Sequence, residues 1–311
     1  MAPQLGWIGL GNMGIGMSKN LHEHVKKTTP EKPLLVFNRT ASKADDLKTS
    51  GAAIVTSVDE LRSKSDIIFT CVSNDAAIND IFENFLAGDI KGKVFCEMST
   101  VHPETTSTLY EKASAAGAEF VSAPVFGAPP VAASGQLLII LAGDAQAIEK
   151  VKPYCTGVMG RATLDLGEDV ARGSLMKVIG NTFVLAIVES LAEAHVLAEK
   201  SGLGSDTLDK FLNSMFPGSA FVGYSQRMIS GNYVPDEGKG PLFGADLAQK
   251  DAKHALDLAK KAGAKMSITE VAEKHLQSAQ DSAPERNVDL AAIYGAVRME
   301  AGLGFSDKIG K

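Results

Sequence analysis

Three glycines near the start of this chain constrain its fold more than any other feature. Gly9, Gly11 and Gly14 stand in the run Leu5-Gly6-Trp7-Ile8-Gly9-Leu10-Gly11-Asn12-Met13-Gly14, directly after a short apolar segment and ahead of helix-permissive sequence. Each glycine has a mechanical reason in a strand–turn–helix unit. The first makes the tight turn, the second lets backbone approach a pyrophosphate, and the third lets helix pack on strand. The loop Gly9, Leu10, Gly11, Asn12, Met13 and Gly14 is therefore expected to hold a dinucleotide, with the pyrophosphate at the helix N-terminus. Free N–H groups and the helix dipole favour an anion there.

The next strand carries the choice of nucleotide. Leu34-Leu35-Val36-Phe37 has the composition of a buried strand and ends in Asn38-Arg39-Thr40. An NAD site usually places an acid at this point to bond the ribose 2′-hydroxyl, whereas an arginine suits a 2′-phosphate. No Asp or Glu occupies positions 36 to 44. Asn38, Arg39 and Thr40 thus point to NADP(H), the alternative being that Arg39 is a solvated loop residue.

Apolar runs at 5–10, 34–37, 53–55, 66–72, 93–97, 118–122, 137–143 and 161–166 alternate with helical stretches. That order predicts right-handed βαβ units and a mostly parallel, doubly wound sheet. The texture changes near Glu168. From Val170 to Lys200 there is no proline, and Phe183 to Ala198 is apolar almost all round, which predicts a helix buried on most sides. About 30 residues of helix make a rod of about 45 Å, long enough to bridge two domains. The remainder reads as helices, with Gly231–Pro241 as the best candidate for a lid or surface loop. The expected architecture is a Rossmann-type α/β domain over 1–167, followed over 168–311 by a bridging helix and an all-α domain for substrate binding and dimerisation.

Composition excludes several other classes. The chain is 45% hydrophobic and 22% charged with a net charge of −6 and no basic block, so neither nucleic acid nor an anionic membrane is an expected partner. No charge-free stretch of 18 apolar residues occurs, and the first strand begins too early to leave room for a leader, so a cytoplasmic protein is expected. Cys71, Cys96 and Cys155 show no metal-ligand spacing and read as reduced thiols, and no metal site is expected.

Three further clusters carry chemistry. Ser99 and Thr100 follow Met98 at the end of the fifth strand, and ligands of open parallel sheets lie at the carboxyl ends of strands. These hydroxyls are expected to face the nicotinamide, or else to cap the helix after Pro103. In Gly173-Ser174-Leu175-Met176-Lys177-Val178-Ile179-Gly180-Asn181, Lys177 and Asn181 share one helix face with small residues nearby. A lysine among apolar neighbours shifts its pKa readily and can act as a general acid; the alternative is a solvated helix lysine. Lys250 falls in register with Leu247, His254 and Leu258 on a stripe expected to face inward. It therefore needs an anion, either Asp251, another acid, or a bound ligand. His254 reads as a structural histidine before an acid–base group.

The same order of motifs resembles the β-hydroxyacid dehydrogenases, the 3-hydroxyisobutyrate dehydrogenase-like family, through nearly the whole chain. The likeness runs from Gly9–Gly14 with Met17, Asn20 and Leu21 through Met98-Ser99-Thr100 and Ala123-Pro124-Val125. It continues with Gly135-Gln136-Leu137, the Lys177 helix and Lys250-Asp251. The resemblance implies that Lys177 is the catalytic acid/base and that Asn181 orients substrate. It also implies that Ser99, Thr100 and Lys250 approach the nicotinamide half and that Val72 and Ser73 line the cofactor. Asn38-Arg39-Thr40 resembles the NADPH-using branch, which includes glyoxylate and succinic semialdehyde reductases.

Two departures stand out. Where the family's substrate loop commonly reads Asp-Ala-Pro-Val-Ser-Gly-Gly, this chain has Ser122-Ala123-Pro124-Val125-Phe126-Gly127-Ala128. Ser122, Phe126, Gly127 and Ala128 are still expected to line the substrate, but Phe126 stands where a serine would meet a carboxylate. The glycine that usually opens the lysine motif is Ala171 here.

The expected function is reversible hydride transfer between NADPH and a small carbonyl or hydroxy compound, in the cleft between two domains of a homodimeric enzyme. An imine reductase-like enzyme is the rival reading, against which Lys177 counts. A non-catalytic NADPH-binding regulatory protein is the rival from another class.

Overall fold

Side chains alternate along the strands so as to feed two separate cores. Trp7, Phe69, Cys96 and Val121 enter one, and Ile8, Ile68, Phe95 and Phe120 enter the other. Period-two alternation with both faces apolar is what a sheet covered by helices on both sides requires. The computed structural model describes residues 2–306 and shows that sheet. Its nine strands among the described residues are β1 (Leu5–Ile8), β2 (Leu35–Phe37), β3 (Ala53–Ile54), β4 (Ile67–Thr70), β5 (Val94–Glu97), β6 (Glu119–Ser122), β7 (Val125–Phe126), β8 (Leu137–Gly143) and β9 (Gly160–Asp165). The order is β3-β2-β1-β4-β5-β6-β8-β7, with β9 on β8. Pairing is parallel from β3 to β6, antiparallel at β6–β8 and β7–β8, and parallel again at β8–β9. Strand order reverses at β1, which places the switch point of the wound sheet between β1 and β4.

Helices α1 (Asn12–Thr28), α2 (Asp45–Ser50), α3 (Val58–Lys64), α4 (Asp75–Leu86), α5 (Pro103–Ala115), α6 (Pro129–Ala133) and α7 (Ala145–Val151) connect the strands. Their starts follow local chemistry. Ser57 accepts from the Glu60 N–H while Glu60 reaches back to the Thr56 N–H, and Asn74 accepts from Ala77 N–H. At α1 the pattern is different: Gly11 caps it with no side-chain bond, and no acid stands in its first turn. Its N-terminal amides are thus left to backbone and ligand.

The remaining helices are α8 (Ala171–Lys200), α9 (Ser205–Met215), α10 (Ala220–Ile229), α11 (Ala245–Ala262), α12 (Ser267–Asp281) and α13 (Ile293–Glu300). Two compact units divide the chain, Met1–Lys177 and Val178–Lys311. In the second, Leu185, Val188, Leu191 and Ala192 of α8 pack with Ala248, Ala252, Leu276 and Ile293.

The structure differs from the sequence expectation at four places. β7 lies inside what reads as a loop, because two residues after a proline are too few to show a period. Among the described residues α8 is not covered all round: Phe183 and Leu197 are 69% and 68% exposed. Length and composition alone would let α8 cross a bilayer. Its buried Asn181, Glu189 and His195, bonded to Asp251, His275 and Ser225, mark it as a core helix. The Gly231–Pro241 segment is pinned rather than free at Tyr233 and Val234, both buried, with Tyr233 Oη donating to Phe305 O. On α11 the buried face is Ala245, Ala248, Ala252, Ala255 and Ala259. The stripe of Leu247, Lys250, His254 and Leu258 flanks that face, half-buried.

Candidate active site

The carboxyl ends of β1, β2, β4 and β5 converge on the glycine loop. Gly9 donates to Phe37 O at 3.1 Å, and Cys71 donates to Ile8 O at 2.9 Å. Gly9 sits at φ 101, and a Cβ there would run into the Cys71 carbonyl. Only glycine fits that combination of left-handed backbone and close approach. A Cβ at Gly14 would strike the Gly9 carbonyl, whereas one at Gly11 would meet nothing within 4 Å. Open space above Gly11, beside uncapped helix amides, is the shape a pyrophosphate needs. The residues present therefore fit a dinucleotide.

Asn38 holds this loop to the end of β2. Its Oδ1 accepts from Leu10 N–H at 2.8 Å, and its Nδ2 donates to Thr40 O at 2.9 Å. Arg39 and Thr40 are exposed beside it. A one-turn helix at Ala41–Ala44 follows, and it brings in residues that sequence reasoning missed. A hollow of about 290 Å³ next to Gly11 and Asn12 is lined also by Ser42, Lys43 and Asp46. Asp46 lies just past the segment scanned for an acid. Its carboxylate pairs with Lys19 at 2.8 Å, and that ammonium holds it below the usual carboxylate range. With Asp46 matched by Lys19, the charge left over among the residues lining the hollow is the cation Lys43.

At the end of β4, Val72 is half-buried and Ser73 exposed. Ser99 is buried and ties β5 to β4, its Oγ accepting from Val72 N–H at 2.8 Å; Thr100 beside it is half-buried. Glu97, buried at the end of β5, accepts from Ser99 N–H at 2.8 Å and so fixes the turn that presents both hydroxyls. An acid closing an apolar strand was the available signal for Glu97.

The first turn of α8 is fixed against the sheet unit. Ser174 shares a buried hydrogen bond with Thr106 of α5. A Cβ at Gly173 would stand 2.6 Å from Ser122 Oγ, so the helix approaches the end of β6 as closely as a glycine allows. One turn on, the half-buried Lys177 places its Nζ 4.5 Å from the centre of the Phe126 ring. Burial pushes the Cys71 thiol up to about 12, with the Glu97 carboxylate adding to the rise and the Lys177 ammonium opposing it. Phe126, Ser122 and Lys177 thus gather at the carboxyl edge of the sheet, while Gly127 and Ala128 are exposed beyond β7.

In the helical unit, Asn181 of α8 donates to Asp251 Oδ2 at 2.6 Å, and Lys250 Nζ lies 3.1 Å from Asp251 Oδ1. Asp251 is 2% exposed. It is the anion that Lys250 needs, and it orients Asn181 as well, which sequence reasoning did not find. Among the described residues no cluster of His, Cys, Asp and Glu could hold a metal ion.

Comparison with known proteins shows the family and the fold. Residues 4–167 match the NAD binding domain of 6-phosphogluconate dehydrogenase, and residues 171–297 match the NAD-binding domain of NADP-dependent 3-hydroxyisobutyrate dehydrogenase. The chain belongs to the β-hydroxyacid dehydrogenase family, and it is an NAD(P)-dependent oxidoreductase. Among its relatives, the NADH-dependent oxidoreductase ucdB of Aspergillus ustus is 36% identical over 94% of this chain and 99% of its own. Glyoxylate/succinic semialdehyde reductase 1 of Arabidopsis thaliana is 33% identical over 95% and 98%. The fold is similar to the crystal structure of 3-hydroxyisobutyrate dehydrogenase (ygbJ) from Salmonella typhimurium, with a TM-score of 0.82 at 20% identity over 93% of this chain and 98% of that one.

Proposed function

We propose that this protein reduces a small carbonyl compound to the alcohol, reversibly, with NADPH preferred over NADH and Lys177 as the proton donor. A bound nicotinamide supplies or receives the hydride. Lys177 gives an Nζ proton to the carbonyl oxygen as that oxygen gains the electron pair of the C=O bond, and the neutral amine is then recharged from solvent. Its positive charge stabilises the developing alkoxide.

The observation that carries this reading is the placement of Lys177: half-buried, on a helix turn fixed through Gly173 and Ser174, with its Nζ 4.5 Å from the centre of the Phe126 ring. The preference for NADPH is supported by Lys43, which lines the hollow beside the glycine loop, and by Arg39, exposed just past the end of β2. The glycine loop, Val72, Ser73, Ser99, Thr100 and Lys250 serve the cofactor in this proposal, and Phe126, Gly127, Ala128 and Asn181 serve the substrate, while Ser122, fully buried, backs the substrate flank without touching it. In this proposal the stretch 1–167 is the cofactor domain and 168–311 the domain for substrate binding and dimerisation. The exposed apolar side chains of α8, Phe183 and Leu197 among them, supply the face through which two copies pair as a homodimer.

Lys177→Ala tests the mechanism. General acid catalysis contributes about 10²–10⁴-fold, so turnover is expected to fall by that much with NADPH affinity little changed. Arginine is not expected to rescue it, because a guanidinium does not release a proton near neutral pH. A folded Lys177→Ala protein keeping more than about a tenth of wild-type turnover overturns the assignment.

A further inference from the structure

The ring of Phe126 faces the one ammonium group on which the proposed chemistry depends. At 4.5 Å from the ring centre, Lys177 Nζ is well within the range where a cation is held by the negative face of an aromatic ring. This attraction exists for the ammonium and not for the neutral amine. The contact is built into the fold. Phe126 ends β7, where it pairs with Leu138 of β8. The chain must then turn at Gly127, whose φ is 140 and where a Cβ would collide with Leu137 and Val131. The backbone on either side of the ring is therefore fixed, and the ring has little freedom to swing away from the helix.

Two consequences follow for a carbonyl compound that approaches Lys177. Its oxygen draws on the ammonium through a single N–H, and the ring takes another side of Nζ. A carboxylate on the same flank meets an apolar surface and the negative ring face, and it loses hydration without a hydrogen bond in return. Ser122, the nearby hydroxyl, is fully buried behind Gly173 and cannot replace that hydration.

We infer that Phe126 is the positioning and specificity-determining residue of this site: its ring seats the Lys177 ammonium and walls the substrate flank. The site then takes aldehydes and ketones carrying alkyl or aryl groups rather than carboxylates. The inference rests on Lys177 being the proton donor, and the test separates the two.

The first measurement needs neither cofactor nor substrate. Protein labelled with ¹³C at lysine Cε is titrated by NMR, with the Lys177 signal assigned by its loss in Lys177→Ala. Phe126→Leu, which keeps apolar bulk but removes the ring, is expected to lower the Lys177 midpoint by about half a pH unit to one and a half, while Phe126→Tyr keeps it near wild type. The second measurement compares butanal with succinic semialdehyde, two four-carbon aldehydes that differ in a terminal carboxylate. Wild type is expected to favour butanal in kcat/KM, and Phe126→Ser is expected to move that ratio toward succinic semialdehyde by about tenfold, the scale on which one lost apolar contact and one gained hydrogen bond register. An unchanged midpoint in Phe126→Leu overturns the inference. So does a wild-type protein that prefers succinic semialdehyde or reduces neither aldehyde. If Lys177→Ala loses turnover while Phe126→Leu shifts nothing, this inference fails and the proton-donor assignment stands. If Lys177→Ala keeps its turnover, both fall.

Discussion

Asn38 and Arg39 are neighbours in sequence, yet their contacts differ, and two substitutions separate the roles proposed for them. Both ends of the Asn38 amide are spent on backbone, on Leu10 N–H at 2.8 Å and on Thr40 O at 2.9 Å. A neutral hydrogen bond contributes about 0.5–1.5 kcal/mol, and the one to Leu10 holds the glycine loop, so Asn38→Ala removes about that much from the order of the loop. That loop meets the part common to both cofactors, so NADPH and NADH are expected to weaken by the same factor. Arg39 is exposed just past the end of β2. A charge-assisted bond to a 2′-phosphate is worth about 1.5–3 kcal/mol, or about 10- to 100-fold in affinity. Arg39→Ala is expected to take that factor from NADPH alone, and added salt is expected to shrink the difference because the contact is solvent-exposed. Fluorescence titration of each variant with both reduced cofactors gives the four ratios. The relative named as NADH-dependent makes the contrary result concrete. Tighter wild-type binding of NADH, or equal weakening of both cofactors by Arg39→Ala, refutes the charge argument.

Two further outcomes concern stability. Gly173→Ala should destabilise the protein by about 1–2 kcal/mol although alanine favours a helix, because its Cβ would stand 2.6 Å from Ser122 Oγ. Ser122→Ala, which removes a buried hydroxyl without a hydrogen-bond partner, should cost little and should recover most of that loss in the double variant, whereas additive denaturation midpoints refute the contact. His275 is held between Glu189 at 2.7 Å and Glu300 at 3.3 Å, and its pKa is raised chiefly by the hydrogen bond to Glu189, against the opposing effect of burial. A raised histidine contributes stability that is fully present below its unfolded pKa of about 6.5 and lost as pH climbs through the folded value. Hydrogen exchange in α12 should accordingly show stability falling above about pH 6.5 in the wild type, with that slope flattened in His275→Gln; an unchanged slope refutes the assignment.

What was legible in the sequence was whatever a short period or a steric necessity encodes. The doubly wound sheet follows from alternation at Trp7, Ile8, Ile68 and Phe69, and the glycine loop from backbone that meets the Cys71 carbonyl at Gly9. The family was legible because its motifs keep their order along the chain. Pairings between distant residues were not. Asn181 and Asp251 are 70 positions apart, and nothing near either one announces the other. Asp46 escaped because a one-turn helix after Thr40 carries it back toward the loop, past the window in which an acid follows a strand directly. The exposed face of α8 escaped for the opposite reason. Apolar residues all round a helix say that every side wants cover, but not whether one chain provides it, and here Phe183 and Leu197 are left outside. Phe126 joins both kinds of information. Its departure from the expected serine could be seen in the sequence, but its meaning depends on Lys177, a residue in another element whose ammonium the fold brings over the ring. Read apart, Phe126 is one apolar residue after a proline loop and Lys177 one lysine on a helix; it is the fold that makes them a pair.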